Sequence, residues 1–141
     1  MIMPEPYPTL DENLPDEMES MLAKLTQRAS ITATTPKQAE IYTTVIRSLR
    51  YVLILTSTPR PAHVTLVIFP MLNPGEYWDM ILKHDPLALA VLANYAVTIH
   101  RLRHSIWLEG WGKETVDAVH AILAPEWHEC IEWALNETRE D

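Results

Sequence analysis

Apolar residues recur at helical spacing along nearly the whole chain. Met18, Met21, Leu22 and Leu25 predict a helix over 15–28. A second helix begins at a strong local signal: Thr35 can cap it, Pro36 fits the first turn, and Gln38 completes a capping-box pattern. Its apolar face runs Ile41, Val45, Leu49 and Val52, with Tyr42, Ile46 and Leu53 alongside. Its end, "VLIL", is apolar all round and so belongs in a core. Pro59 and Pro61 stop it. Residues 62–69 read as either a short helix or a strand, because "HVTLVIF" is the one β-branched run in a sequence otherwise without alternation; Pro70 ends this segment.

The same starting grammar returns in "NPGEYWDMIL", with Asn73 as cap, Pro74 next and Glu76 positioned to reach back. It returns again at Asp85 and Pro86. Between Leu87 and Ile99 only Asn94, Tyr95 and Thr98 carry polar side-chain groups, which marks a helix over 86–106 as the central one. After Ile99 the stretch "HRLRHS" turns polar. Two of the chain's three glycines, Gly110 and Gly112, then bracket Trp111. Glycine permits backbone angles and close approaches that a Cβ forbids, so they read as a junction between helices. Helices over 113–123 and from Pro125 onward follow, the last with Trp127, Ile131, Ala134 and Leu135 on one face. The fold class is therefore all-α: a single-domain bundle of about six to seven helices over 15–141. Residues 1–14, with Pro4, Pro6 and Pro8, read as an extended or disordered arm.

Charge narrows the partners. The formal net charge is -8, and nucleic-acid affinity rests on Lys and Arg neutralising phosphates, so no direct nucleic-acid binding is expected. Residues 41–104 carry six Lys/Arg against three Asp/Glu, while 105–141 carry nine acids against two bases; the simpler reading puts most of these charges on solvated helix faces, and the alternative has the acidic end covering cationic positions in the middle. The single cysteine, Cys130, allows neither an intrachain disulfide nor a cysteine-based zinc site, and fits a reducing, intracellular setting. No apolar run approaches the length needed to span a bilayer.

Candidate chemistry is sparse. His100 and His104 lie four apart, as a shared metal would require, but a third ligand would have to come from His84, His120 or Glu109, and helix-surface histidines are the simpler reading; no metal and no cofactor are expected. His120 sits with Val116, Val119 and Leu123 near the apolar edge of its helix. Glu126, Glu129 and Glu132 around Cys130 would raise its pKa and blunt it as a nucleophile. If the chain is an enzyme, general acid–base chemistry would have to use Glu109, His100, Tyr95, Asp85 or His120, and nothing in the spacing selects among them; His100, Glu109 and His120 are taken as the candidates on their chemistry alone. Five tryptophans are many for a small domain, and three lie within 107–127. Around two glycines they suit the lining of a pocket for a rigid apolar guest.

"DPLALAVLANYAVTIHRL", then "WLEGWGKETVDAVHAIL", then "PEWHECIEWAL" resemble the C-terminal region of fungal zinc-cluster transcription factors, above all the sterol uptake control proteins. "FPMLNPGEYWDMILKHDP" matches the segment before that block, and the resemblance spans roughly 36–135. It implies an all-helical ligand-sensing domain with an apolar sterol pocket beside a glycine-containing loop. Carried onto this sequence, it implies ligand contacts from Tyr95, Ala96, Ile99, His100, Trp107, Gly110, Trp111 and Gly112. Asn94 stands where many members have histidine and Ala134 where many have proline; the six-cysteine cluster and basic linker are not in this sequence.

Three functions compete. The first is a regulatory domain that binds a sterol-like or terpenoid- or polyketide-like lipophile, either part of a transcription regulator (nuclear or cytoplasmic) or a truncated stand-alone derivative. The second is a stand-alone cytoplasmic enzyme of secondary metabolism, a cyclase or isomerase without cofactor. The third is a helical dimerisation module, which makes a homodimer an expected assembly.

Overall fold

The Thr35 hydroxyl accepts the Gln38 backbone N–H at 3.1 Å, and Pro36 opens the helix behind it. The reciprocal bond of the capping pattern is displaced by one residue: Gln38 Oε1 accepts from the Thr34 N–H at 2.7 Å rather than from Thr35. This start belongs to α2 (Pro36–Leu55), which follows α1 (Asp16–Thr32) across a tight connection. The computed structural model describes residues 13–57, 69, 70, 72, 73, 75–102 and 110–139. The remaining elements are α3 (Gly75–Leu82), α4 (Pro86–Arg101), α5 (Trp111–Ile122), a 3-10 helix (Pro125–Ile131) and α6 (Glu132–Glu137). The described residues contain no strand, so the fold is all-α. None of the described helices is long and apolar enough to cross a membrane.

The sequence places the central helix correctly. α4 packs against α1, α2, α3, α5, α6 and the 3-10 helix. Leu87 to Val91 and Ala93 to Thr98 are all buried along it. Each Leu or Val so buried contributes roughly 1.5–3 kcal/mol of transfer free energy, which explains why every other element is arranged around this one. Asp85 caps it: Oδ1 accepts the Ala88 N–H at 3.0 Å. Oδ2 of the same carboxylate accepts the hydroxyl of the fully buried Tyr42 at 2.7 Å, so one side chain both starts α4 and ties it to α2. Asn94 ties the other side, its amide donating to the carbonyls of Ala90 and Cys130 at 2.9 Å each.

Several boundaries differ from expectation. α1 runs on to Thr32, and α4 ends at Arg101. Asn73 donates its amide to the Phe69 carbonyl at 2.7 Å. The helix expected from Pro125 is wound as 3-10 until Ile131, which brings Trp127 and Cys130, three apart, onto the buried side. Leu14, assigned to the arm, is buried in the core. Of the ambiguous segment 62–69 only Phe69 is described. It is fully buried, stacked on Tyr95 with ring centroids 4.3 Å apart and edge-on to Tyr77 at 5.9 Å.

The acidic end does reach cationic positions elsewhere. Glu137 pairs with Arg101 at 3.4 Å, and Glu129 pairs with Arg28 of α1 at 3.2 Å. The Arg28 guanidinium also donates to the Glu126 carbonyl and lies 5.0 Å from the centroid of the Trp127 ring, fastening α1 to the 3-10 helix.

Candidate functional site

Gly110 takes φ +88°, the left-handed region that L side chains avoid, and so turns the chain into α5. Gly112 serves a different need. A Cβ built there would lie 2.5 Å from the His100 backbone nitrogen, 2.6 Å from the Ala96 carbonyl oxygen and 2.7 Å from the His100 Cβ. This glycine is where α5 crosses α4 at close range. Ala96, His100 and Gly112 are thus brought together, as the sequence suggests, but by helix packing that leaves no space between them.

The other expected ligand contacts disperse. Tyr95, one residue round the helix from Ala96, is stacked on Phe69 in the core. Burial pushes its phenol up to about 12, so it is a neutral group at physiological pH. Ile99 is partly buried against the core. Trp111 is 59% exposed and points away from the crossing. Trp107 and Glu109 lie outside the described residues, as does His104. His120 is a correction. The buried stripe of α5 is Gly112, Val116, Val119 and Leu123; His120 follows Val119 by one position, faces outward, and stacks on His128 with centroids 4.2 Å apart. At 1.5 Å per residue it stands roughly 12 Å along α5 from the Gly112–His100 contact, so His100 and His120 do not form one acid–base pair. Burial raises the Cys130 thiol above its ordinary value against the opposing charge of Arg28, which leaves it a core residue rather than a nucleophile. Among the described residues no group of three His, Cys, Asp or Glu is placed to hold a metal ion.

An apolar hollow exists elsewhere. α1 and α2 form an antiparallel hairpin whose outer side opens as a groove of about 660 Å³. Leu22, Ala23 and Ala29 of α1 and Ala39 and Ile46 of α2 form its walls, and Glu19, Arg47 and Arg50 gather toward the end away from the connection. The small side chains keep the hollow open. Its hydroxyls are already committed to their own helices: Thr26 donates to the Leu22 carbonyl and Thr43 to the Ala39 carbonyl, both at 2.9 Å, and Ser30 to the Gln27 carbonyl at 2.7 Å. Back-bonded hydroxyls of this kind offer a ligand little more than their carbon surface.

Sequence reasoning did not select this groove. Apart from Leu22 and Ile46, which belong to the apolar faces, much of its lining is Ala, Thr and Ser, which hydrophobic periodicity scores as neutral. The available signal was the repeat of small residues at helical spacing on both helices, from Ala23 through Thr26 to Ser30 and from Ala39 to Thr43.

Compared with family models, curated proteins and solved structures, the chain matches none.

Proposed function

We propose that this chain is a binding module for a lipophilic small molecule, the regulatory domain of a fungal transcription regulator or a stand-alone derivative of one, and that it takes its ligand in the groove between α1 and α2. The observation that carries the reading is the groove itself, about 660 Å³ between walls of Leu22, Ala23, Ala29, Ala39 and Ile46. That volume is within the range of small-molecule sites, and the surface it offers is mostly apolar, with hydroxyls along the walls and the charged groups toward one end. The resemblance to sterol-sensing regulators supports the ligand class. Its expected contacts at the glycine corner do not coincide with this hollow, so the ligand seat is moved from α4–α5 to α1–α2. A binding module needs no acid–base pair, which agrees with the separation of His100 from His120.

The test is thermal unfolding of the chain with ergosterol and with simple lipids, in the unsubstituted protein and in Ala23→Trp, which fills the groove. A ligand at a hundredfold excess over its Kd stabilises by about 2.7 kcal/mol, a readily measured rise in Tm. The reading expects such a rise for at least one lipophile and its loss in Ala23→Trp. No rise with any lipophile, or a rise that the indole leaves intact, removes the groove as the site.

A second reading, dimerisation, is favoured by one face of α5. Trp111, Ala118 and Ile122 recur at helical spacing, and Trp111 and Ile122 are 59% and 45% exposed. Sedimentation over a wide concentration range tests it: a dimer weakened by Trp111→Glu supports it, and a monomer throughout rejects it.

A further inference from the structure

The charged end of the α1–α2 groove distinguishes between classes of lipophile. In a chain of net charge -8, its ionisable lining is two arginines against one glutamate. Arg50 is engaged, its guanidinium paired with the Glu19 carboxylate across the two helices. Arg47 lies one turn earlier on the same face of α2, is exposed, and makes no hydrogen bond or ion pair among the described residues. Each hydroxyl on the walls has already given its proton to its own helix. A neutral alcohol entering the groove would meet no uncommitted neutral donor on these walls. An anion would meet the five N–H groups of one guanidinium, which pairs with a carboxylate in a two-pronged geometry.

Resting on the proposed function above, we infer that the ligand of this groove is a lipophilic monocarboxylate, its head group on Arg47 and its apolar body lying along Ile46, Leu22 and Ala23 toward Ala29 and Ala39. From Ala39 to Arg50 the floor runs roughly 16 Å at 1.5 Å per residue, room for an extended or folded hydrocarbon. The Glu19–Arg50 pair closes the charged end and repels a second anion less than an unpaired glutamate would, because Arg50 compensates it.

The experiment compares dodecanoic acid, dodecanol and ergosterol, each below its aggregation limit, by calorimetric titration of the full chain and of the Arg47→Gln and Ala23→Trp variants. Arg47 is exposed, so Arg47→Gln folds as the parent does, a point checked by its unchanged Tm without ligand. The expected result is dodecanoate binding about tenfold or more tighter than dodecanol, the worth of one charge-assisted contact. Arg47→Gln is expected to abolish that preference, Ala23→Trp to remove binding of both, and added salt to weaken the acid only. Equal binding of acid and alcohol, or a preference that survives Arg47→Gln, overturns the carboxylate inference and leaves the groove reading standing; so does binding of ergosterol alone with its loss in Ala23→Trp. No binding of any of the three overturns both.

Discussion

Replacing Gly112 by alanine tests how α4 and α5 are held. The added Cβ would meet the His100 nitrogen at 2.5 Å, the Ala96 oxygen at 2.6 Å and the His100 Cβ at 2.7 Å. Ordinary contacts of this kind are about 3.5–4 Å between carbons, so the two helices must separate by roughly 1 Å. Two of the three atoms are backbone, and no rotamer change can move them aside. Overpacking of this sort costs about 1–3 kcal/mol, and the backbone contacts put Gly112→Ala at the upper end. Against it stands the better helix propensity of alanine, about 1 kcal/mol. The net expectation is a loss of about 2 kcal/mol, or roughly 6–10 °C in Tm for a chain of this size. Gly75→Ala is the control: nothing lies within 4 Å of its added Cβ, so only the propensity gain applies and Tm is expected to hold or rise slightly. Urea and thermal unfolding followed by far-ultraviolet circular dichroism give both numbers. If Gly112→Ala melts no lower than Gly75→Ala, the close crossing at this glycine is wrong, and so is the reason given for its presence.

Tyr42→Phe removes the hydroxyl that donates to Asp85 and is expected to lose about 1.5–3 kcal/mol in urea unfolding, because the bond to a carboxylate goes while the α4 cap remains. Asp85→Ala removes cap and bond together and is expected to cost more, with the excess near the 0.5–2 kcal/mol of a cap. Alkaline titration is expected to destabilise the fold from about pH 10 upward. Burial raises the phenols of Tyr42, Tyr77 and Tyr95 above their unfolded value of 10.0, Tyr95 to about 12. Between those values the unfolded chain binds fewer protons than the native one, so the stability present below pH 10 is lost as pH rises; phenolate absorbance appearing well below unfolding would contradict this. Arg28→Ala is expected to loosen α1 from the 3-10 helix by about 1 kcal/mol. Arg28→Lys is expected to recover little of it, since an ammonium cannot serve the Glu126 carbonyl, Glu129 and the Trp127 face together; full rescue by lysine would refute that account.

The sequence by itself determined the helices and their rank. The start of α2 at Thr35–Pro36, the cap at Asp85 and the burial of Leu87 to Val91 and Ala93 to Thr98 follow from local chemistry and periodicity, which act within a few residues along one chain and are therefore written in one dimension. The glycine pair was also legible as a special place, since a chain with three glycines does not put two of them beside one tryptophan without a backbone reason. What that reason was, only tertiary structure decided. The same absence of a Cβ serves a pocket mouth or a helix crossing equally well; the choice depends on which atoms of α4 stand opposite, and here they are the backbone of Ala96 and His100. The groove between α1 and α2 was decided the same way. Alanine and threonine contribute little to a hydrophobic pattern whether they face water or wall a hollow, and the distance between two helices that makes a hollow is a property of neither helix alone.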